Sequence, residues 1–254
     1  FAASERAVVL APNDPVTWLV KGRSAFLMDP TNNTPRLFGI RKALALDATY
    51  VPAWFELGVV EEERFNSGAA LAAFQRAADL DSSDLQTLSF IGLHYLWNNE
   101  YDNGLKWADS AVNLDPTYAL AHDAAGQLAL ALGKTRDAQR QFEIQVKVSS
   151  GRERGIAFAS AARAYAVEGA TKKARANIDS AMAYADAAHP TKHEAAYIGS
   201  ALAAMGDTAG AVRIMKAYDP REDMHFQLHL KRDPGLRWIK GSRWAKDLLI
   251  PDPR

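Results

Sequence analysis

The sequence predicts an all-α protein in which pairs of antiparallel helices repeat along the chain and stack as a solenoid. The first observation is a small residue that recurs at intervals of 34 to 37 positions. It stands at Gly22, Gly58, Gly92, Gly126, Ala162 and Gly199. A fixed period of this length is typical of structural repeats in which each unit packs on its neighbours.

A second series runs in phase with the first, 19 to 21 positions behind it. Its members are Ala7, Ala43, Ala77, Ala111, Gln145, Ala181 and Tyr218. Two series with one period indicate one repeated unit that contains two helices. Two helices approach closely only where side chains are small, and large side chains fill the space around the contact.

The third observation is the regular placing of turn residues. Within a unit the turn is marked by residues such as Asn66-Ser67-Gly68 or Gly133-Lys134, and the stretch from Asn113 to Pro116 separates two units. The segments between these turns have room for helices of about 12 to 14 residues. We therefore expect no strands.

The overall composition indicates a folded protein with an ordinary core. Apolar residues make up 48% of the 254 positions and charged residues 24%, which is not the composition of a disordered chain. Thirty basic and thirty acidic side chains cancel, so no global field attracts nucleic acid or an anionic membrane. Cysteine is absent, which excludes disulfides and thiolate chemistry. The absence of cysteine fits a cytoplasmic and an extracytoplasmic protein equally well, so the compartment stays open, with the cytoplasm slightly favoured.

The repeat register divides the chain into three parts. Residues 1–14 match only the second helix of a unit, residues 15–220 contain six full units, and residues 221–254 leave the pattern. The last part contains a helix and short turns with apolar side chains, and we expect it to cap the final open face. Because the chain opens on Phe1 and in the middle of a unit, we expect a fragment or a processed product.

One unit carries a recognisable signature. Trp54, Leu57, Gly58, Ala70 and Phe74 follow the order Trp-x2-Leu-Gly, then Ala-x3-Phe, and the chain therefore resembles the tetratricopeptide repeat family. The resemblance covers about residues 1–220. It implies a right-handed superhelix whose groove is lined by the first helix of each unit and binds peptides or partner proteins. A fold of this kind leaves the identity of the partner open.

The family geometry implies a set of groove-facing side chains in this sequence. We expect the binding residues to be Arg23, Phe26, Phe55, Val59, Leu93, Trp97, Gln127 and Arg163. The chaperone-tail binders of the family hold a carboxylate with Lys and Asn, where this sequence has Leu19 and Arg23, so no such clamp is expected. We predict an apolar or amphipathic ligand with an acidic flank. The alternative is that several aromatics only pack between neighbouring hairpins.

A second resemblance lies near the carboxyl end. Residues 229–234, His-Leu-Lys-Arg-Asp-Pro, and residues 241–249 are similar to the closing segment of repeat regions in bacterial signalling proteins. In those proteins such repeats often follow a serine/threonine kinase or a winged-helix DNA-binding domain. The resemblance implies that this chain is the repeat region of a larger bacterial protein.

Several patterns that could indicate chemistry have a plainer interpretation. Gly133-Lys134-Thr135 ends like a phosphate-binding loop, but the glycine required five positions earlier is replaced by Leu128. His225 and His229 have the spacing of a metal pair, yet no carboxylate lies between them. We therefore expect no cofactor and no metal.

Charged runs indicate neither an active site nor a nucleic-acid surface. Glu61, Glu62 and Glu63 point in different directions on a helix, and a solvated face explains most of this run, with Glu62 and Glu63 as candidates that face the groove. Basic patches alternate with acids across a neutral protein, so we expect no nucleic-acid ligand. The sequence also lacks a Gly-x-Ser-x-Gly nucleophile elbow. We expect an interaction scaffold for a protein or peptide. The alternative is a structural or assembly subunit, and an enzyme is less favoured than either.

Overall fold

A computed structural model describes residues 2–29, 32–184, 192–217 and 224–249. Every regular element within these ranges is a helix, as the repeat pattern predicts. The long helices are α1 Ala2–Leu10, α2 Pro15–Met28, α3 Thr34–Leu46, α4 Val51–Glu63, α5 Ser67–Leu80, α6 Leu85–Trp97, α7 Tyr101–Leu114, α8 Ala119–Ala131, α9 Thr135–Val148, α10 Gly151–Val167, α11 Thr171–Tyr184, α12 Lys192–Ala204, α13 Thr208–Lys216 and α14 Met224–Arg232.

Successive helices from α2 to α13 pair as hairpins. Helices α2 and α3, α4 and α5, α8 and α9, α10 and α11, and α12 and α13 pack against one another, and Gly92 of α6 faces Gly104 and Ala108 of α7. Only a few residues join the two helices of a pair, so the partners run antiparallel. The fold class predicted from the sequence, an all-α solenoid of helix pairs, is confirmed.

The chain forms two compact units. Of the described residues, unit 1 comprises 2–29, 32–87 and 224, and unit 2 comprises 88–184, 192–217 and 225–249. The core of unit 1 contains Leu19, Leu37, Ile40, Ala43, Ala53 and Val60. The larger core of unit 2 is built around Phe142, Ile178, Ile198 and Met215 and many alanines. Alanine permits close helix contacts and adds little side-chain entropy cost on folding.

Close helix contacts occur at the recurring small residues. A Cβ built on Gly39 would lie 2.9 Å from the Cα of Gly22 on the neighbouring helix. A Cβ built on Gly126 would lie 2.8 Å from Cδ1 of Phe142, and Gly58 faces the ring of Phe74 in the same way. The sequence-based reason for the small-residue series is thus confirmed, because a larger residue at these positions would separate the two helices.

The turn within each hairpin uses one repeated backbone conformation. A residue with positive φ lies seven positions after each recurring small residue in five units. These residues are Phe65 (φ 60°), Asn99 (66°), Gly133 (75°), Gly169 (82°) and Gly206 (87°). The left-handed region suits glycine and tolerates asparagine, so Phe65 is the unusual member. Gly68, which the sequence suggested for that turn, lies inside α5 instead. Gly133 belongs to such a turn and α9 begins at Thr135, so the phosphate-loop-like sequence is an interhelical turn.

In three of the six units, a side chain four positions before the small residue ties the first helix to the preceding linker. Trp18 Nε1 donates to the carbonyl of Pro12, and Trp54 Nε1 donates to the carbonyl of Ala48, each at 2.8 Å. In the fourth full unit His122 Nε2 takes this role and lies 2.9 Å from the carbonyl oxygen of Pro116. Tryptophan and histidine both carry a ring nitrogen that can make this hydrogen bond, which explains why both residue types occur at this repeat position.

The stretch that follows the last hairpin is called here the tail segment, residues 224–249. It contains α14, a 3-10 helix Pro234–Ile239 and a short helix α15 Ala245–Leu248. Five of its side chains join the core of unit 2, namely Phe226, Leu230, Leu236, Ile239 and Leu248. The boundary predicted at residue 220 lies outside the described residues. Among the helices described, none combines the length and apolar character needed to cross a bilayer.

Candidate protein-binding surfaces

Unit 1 contains a buried cluster of charges that links three of its helices. Arg36 of α3 donates from Nε to Glu56 Oε1 at 2.8 Å and from Nη1 to Glu63 Oε2 at 2.9 Å. Arg23 of α2 donates to the other oxygen of Glu56 at 2.9 Å, and Asn33 donates to Glu63. Side chains of Arg36 and both glutamates are at least 93% buried. Buried charges need this degree of pairing, since an unpaired one is expensive.

The cluster corrects the prediction that the acidic run of α4 is a solvated face. Glu61, Glu62 and Glu63 are all buried. Glu61 accepts hydrogen bonds from Arg64 and Asn66, and Glu63 pairs with Arg36. The prediction was wrong because the sequence does not show that a helix preceding α4 supplies a buried arginine.

The four predicted binding residues of unit 1 differ in accessibility. Arg23 is exposed, while Phe26 and Val59 are half-buried. The guanidinium of Arg36 lies 4.5 Å from the centre of the Phe26 ring. Phe55 is 6% exposed and its ring packs 5.9 Å from that of Phe74, so this aromatic fills the hairpin as the packing alternative described. Arg23, Phe26 and Val59 retain surface that a partner could contact.

In unit 2 the predicted residues Gln127 and Arg163 meet at a buried ion pair. Arg163 donates through both terminal nitrogens to the two oxygens of Asp233, at 3.0 and 2.6 Å. The same guanidinium donates to Gln127 Oε1 at 2.6 Å. Bidentate pairs of this kind are among the stronger and more specific polar contacts in proteins. Asp233 belongs to the tail segment, so the repeat array and the tail meet at this point.

A second carboxylate lies beside this pair. Asp123 accepts a hydrogen bond from Ser160 at 3.0 Å. Burial raises the pKa of Asp123 to about 6, although hydrogen bonds from Ser160 and neighbouring amides and the charge of Arg163 act in the opposite direction. Burial also raises the pKa of Tyr197 well above its usual value, and the nearby Asp123 and Asp233 add to the effect. The region therefore excludes water, and electrostatic interactions within it are stronger than at the protein surface.

Aromatic side chains of α6 and α12 contact the tail segment as well. His229 of the tail segment lies between Trp97 and Tyr197, with ring centroids 5.8 and 6.0 Å apart and edge-to-face geometry in both cases. Both Trp97 and Leu93 are buried. The described residues contain no group of three or more His, Asp or Glu side chains that could hold a metal ion. The side chain of His225, the other member of the predicted pair, is outside the described part of the chain.

Further hydrogen bonds hold the tail segment against the repeats. Ser200 donates to the carbonyl of Gly235 at 3.2 Å, and a Cβ built on Gly235 would lie 2.6 Å from Arg163 Nη2. Arg237 donates to Asn99 and to the hydroxyl of Tyr101 at the exposed edge. The tail segment therefore does more than cover the last hairpin, because it also reaches α10 and α6.

The residues that hold the tail share a repeat position. The position directly after the recurring small residue is occupied by Arg23, Val59, Leu93, Gln127, Arg163 and Ser200. In unit 2, Arg163 and Ser200 bond the tail, and Gln127 supports Arg163. We call the side of α6, α8, α10 and α12 that carries these contacts the first-helix surface. Helical register predicts that first helices of successive units present this position on one side.

Sequence reasoning missed several residues of these surfaces. Asp233 was visible only as part of an Asp-Pro stop, and Arg36 only as one of thirty basic residues. Their roles depend on which helices become neighbours. The 36-residue separation of Gln127 and Arg163 was the one signal that could link residues across helices, because it equals the repeat period.

Comparisons with known proteins agree with the helical-repeat architecture. No protein-family model matches the chain. The human cell division cycle protein 16 homolog is 28% identical over 145 residues, which is 56% of this chain and 23% of that protein. Anaphase-promoting complex subunit 3 of Schizosaccharomyces pombe is 25% identical over 153 residues, again 23% of that protein. The chain thus corresponds to less than a quarter of the length of these curated relatives.

Solved structures show the same fold at low sequence identity. The crystal structure of the APC/C hetero-tetramer Cut9-Hcn1 matches with a TM-score of 0.70 and 17% identity, covering 90% of this chain and 45% of that one. A tetratricopeptide repeat protein from Parabacteroides merdae matches with a TM-score of 0.61 and 16% identity, covering 85% and 83%. The chain therefore has the fold of a tetratricopeptide-type helical-repeat scaffold.

Proposed function

We propose that the chain is a non-enzymatic interaction scaffold that binds a peptide or a segment of a partner protein on the first helices of its hairpins. The proposed ligand is amphipathic, with an apolar face and an acidic flank. Arg23, Phe26 and Val59 of unit 1 would contact it, and the buried Phe55 would support them. Proteins with helical-repeat folds present extended surfaces of this kind, and helix faces that receive a peptide are a common recognition mode.

The supporting observation is the use of one repeat position in unit 2. Arg163 and Ser200 occupy this position, and both bond a polypeptide segment, residues 224–249 of the same chain. Arg23 and Val59 occupy the same position in unit 1, where they keep accessible surface. Surfaces built from equivalent positions have similar geometry, so a surface that holds polypeptide in one unit supports the same role in the other.

Selection from a random-peptide display library against the full chain tests the proposal. Peptides that are selected should bind the Arg23→Ala and Phe26→Ala variants at least ten times more weakly than the wild type, measured by fluorescence anisotropy. Arg76→Ala is the matched control, because Arg76 is exposed on α5, the second helix of its hairpin. Equal binding to all four proteins would contradict the proposal.

A second candidate function is that of an assembly subunit, which the exposed apolar side chains of α1 to α3 favour. Val9, Leu10, Leu27 and Met28 are 72 to 79% exposed, and Phe38 is 51% exposed. Single exposed apolar residues are ordinary, but several within one short region indicate a surface that is covered by another chain. Two matched proteins are named for a complex, the S. pombe subunit and Cut9-Hcn1.

Light scattering separates the two candidates. An assembly subunit predicts self-association or a stable complex, and Leu27→Glu with Met28→Glu should abolish it. A monomeric chain at all accessible concentrations, with unchanged behaviour of the double variant, would contradict self-assembly and leave the peptide-binding scaffold.

The proposal also places the chain within a larger bacterial protein. Its support is the similarity of residues 229–234 and 241–249 to closing segments of repeat regions in bacterial signalling proteins. The curated relatives named above are eukaryotic. Reading the gene upstream of the codon for Phe1 tests this part, since a kinase or winged-helix domain in the same frame is expected.

A further inference from the structure

We propose that the outer face of the tail segment is a docking site for a short acidic segment of a partner protein, in which carboxylates recur along one side of an extended chain. The site is a row of four exposed cations, called here the cationic stripe, which consists of Arg237, Lys240, Arg243 and Lys246. These residues belong to the 3-10 helix, the turn after it and α15. The stripe is therefore separate from the first helices of the hairpins, and the inference goes beyond the proposed function.

The sequence of the stripe contains a short repeat of its own. Residues 237–240 are Arg-Trp-Ile-Lys and residues 243–246 are Arg-Trp-Ala-Lys, so one four-residue pattern occurs twice, six positions apart. A cation consequently stands at every third position from 237 to 246. This spacing is unrelated to the period of the hairpins and lies beyond the last of them.

The backbone turns this spacing into one exposed face. Residues Pro234–Ile239 form a 3-10 helix, in which side chains three positions apart lie on the same side, about 6 Å apart along the axis. Leu236, Ile239 and Leu248 are also separated by multiples of three, and all three are buried in the core of unit 2. Because the inner face of the tail segment belongs to this core, its outer face is a permanent surface.

The stripe keeps its positive charge. Among the tail side chains that the structure describes, the acidic one is Asp233, and it is buried against Arg163. Arg237 donates to Asn99 and to the hydroxyl of Tyr101, both of which are neutral. These contacts hold the guanidinium in place without neutralising it, so the stripe remains available to an anionic partner.

The two tryptophans of the pattern support the stripe. Trp238 and Trp244 are half-buried and pack against the core of unit 2. The guanidinium of Arg243 lies 4.4 Å from the centre of the Trp244 ring, and the exposed Lys216 of α13 lies 5.8 Å from it. Cation–π contacts of this kind orient a cation and leave its charge intact. The ring therefore brings a further positive charge beside the stripe.

The spacing of the cations fits an acidic segment of polypeptide. In an extended chain, the side chains on one face belong to every second residue and are about 6.5 Å apart. The cations recur at about 6 Å in the 3-10 helix. Glutamates or aspartates at alternate positions can therefore each meet one cation in a charge-assisted hydrogen bond.

Nucleic acid fits this surface less well. Single strands bind by stacking bases on free aromatic faces, whereas Trp238 and Trp244 pack on the core and Trp244 also carries two cations. The thirty basic and thirty acidic residues of the chain cancel, so the rest of the protein is net negative and repels a long polyanion. A short acidic segment contacts the stripe alone.

An anionic membrane also fits less well. Docking on a bilayer combines cations with apolar side chains that enter the headgroup region. Among the tail side chains that the structure describes, the large apolar ones are buried or half-buried. The stripe therefore offers charge without an apolar anchor.

A fluorescent peptide of about ten residues, in which glutamate and serine alternate, tests the proposal on the full chain. It should bind the wild type, and Lys240→Gln together with Arg243→Gln should weaken binding about tenfold, measured by anisotropy. Added salt should weaken binding as well, because the cations are exposed. Lys172→Gln with Arg175→Gln is the matched control, since it removes one lysine and one arginine from the exposed side of α11 and should bind like the wild type.

A charge-preserving variant separates charge from misfolding. Lys240→Arg with Arg243→Lys exchanges the two side chains and should bind the peptide like the wild type. Hydrogen exchange in residues 226–239 should stay as slow in the glutamine variant as in the wild type, which shows that the tail segment keeps its place. Loss of binding in the charge-preserving variant would overturn the proposal, because charge would then not be the basis of recognition.

Other results would also overturn it. One is the absence of peptide binding to the wild type, and another is equal binding to the wild type and the glutamine variant. Tighter binding of oligothymidylate than of the peptide would replace the acidic segment by nucleic acid. Tighter binding of vesicles that contain phosphatidylserine would replace it by a membrane.

The outcome is distinguishable from failure of the proposed function. Display-selected peptides test Arg23 and Phe26 of unit 1, whereas the glutamate peptide tests the stripe. Arg23→Ala should leave binding of the glutamate peptide unchanged. Loss of that binding on Arg23→Ala would place the acidic segment on unit 1 and reject the stripe while retaining the scaffold function.

Discussion

At the scale of single residues, Asp123 shows how burial changes the chemistry of an ordinary carboxyl group. Its pKa is raised from 3.8 to about 6, and burial is the largest cause. Ser160, Gln127, Gln145 and Arg163 all favour the charged form but do not offset the loss of water. The folded state therefore holds a proton at pH 5 that the unfolded state has released.

This shift predicts the sign of a pH effect on stability. The contribution of Asp123 is favourable below pH 4 and is lost as the pH rises through 6, because ionisation then occurs in a buried site. A shift of about two pKa units corresponds to about 3 kcal/mol. Asp123→Asn should therefore gain about 3 kcal/mol relative to the wild type between pH 4 and pH 7.5, measured by urea unfolding. A difference that is independent of pH would contradict the raised pKa.

The close approach of α2 and α3 makes a second residue-scale prediction. Gly39→Ala introduces a Cβ 2.9 Å from the Cα of Gly22, and only movement of the backbone can relieve the contact. We expect a loss of about 2 kcal/mol in the free energy of unfolding. Gly68→Ala is the control, since a Cβ there meets nothing within 4 Å and alanine favours the helix. Equal effects of the two substitutions would show that close helix contact is not the reason for Gly39.

The roles of many single residues could be predicted from the sequence. The roles that could not be predicted have a physical reason in common. The close helix contacts at Gly22, Gly58 and Gly126 could be predicted from the repeat period, because each unit places its small residue where its two helices meet. The burial of Glu63 could not be predicted, because local sequence does not show which helix provides Arg36. Likewise Asp233 lies beyond the last repeat, 70 residues after Arg163, so the repeat pattern does not predict that the two side chains meet.

At the scale of helices, the charge cluster of unit 1 fixes α3 against α4. Arg36→Met should lower the free energy of unfolding by about 3 to 5 kcal/mol, because Glu56 and Glu63 lose a principal partner while remaining buried. Arg140→Met tests the same chemical change at an exposed pair and should cost less than about 1 kcal/mol. Thermal or urea unfolding of both variants gives the comparison, and similar losses would argue against burial as the cause.

The hairpin turns give another prediction for the helical elements. Gly169 adopts a φ of 82° between α10 and α11. Gly169→Ala should cost about 1 kcal/mol, because an L-residue is strained in the left-handed region. Nothing lies within 4 Å of a Cβ at this position, so an effect would report the backbone alone. An unchanged unfolding midpoint would show that the turn adapts without strain.

At the scale of the whole molecule, the repeat period underlies both the predicted fold and the predicted binding surface. The period of 34 to 37 residues predicted the all-α solenoid and six helix pairs, and the fold class is confirmed. The eight predicted binding residues remain a prediction as a binding set. Arg23, Phe26 and Val59 keep accessible surface, whereas Leu93, Trp97, Gln127 and Arg163 are buried and Arg163 bonds the tail. Periodicity identified the repeated position, but it could not show that the chain itself covers part of that surface.

Photo-crosslinking tests the central claim, binding on first helices, most directly. A photoreactive phenylalanine analogue is placed in the full chain either at Val59 on α4 or at the exposed Gln75 on α5, the second helix of the same hairpin. The chain is then irradiated with a display-selected peptide. We predict crosslinks from position 59 and none from position 75. Crosslinks from position 75 alone would contradict the account.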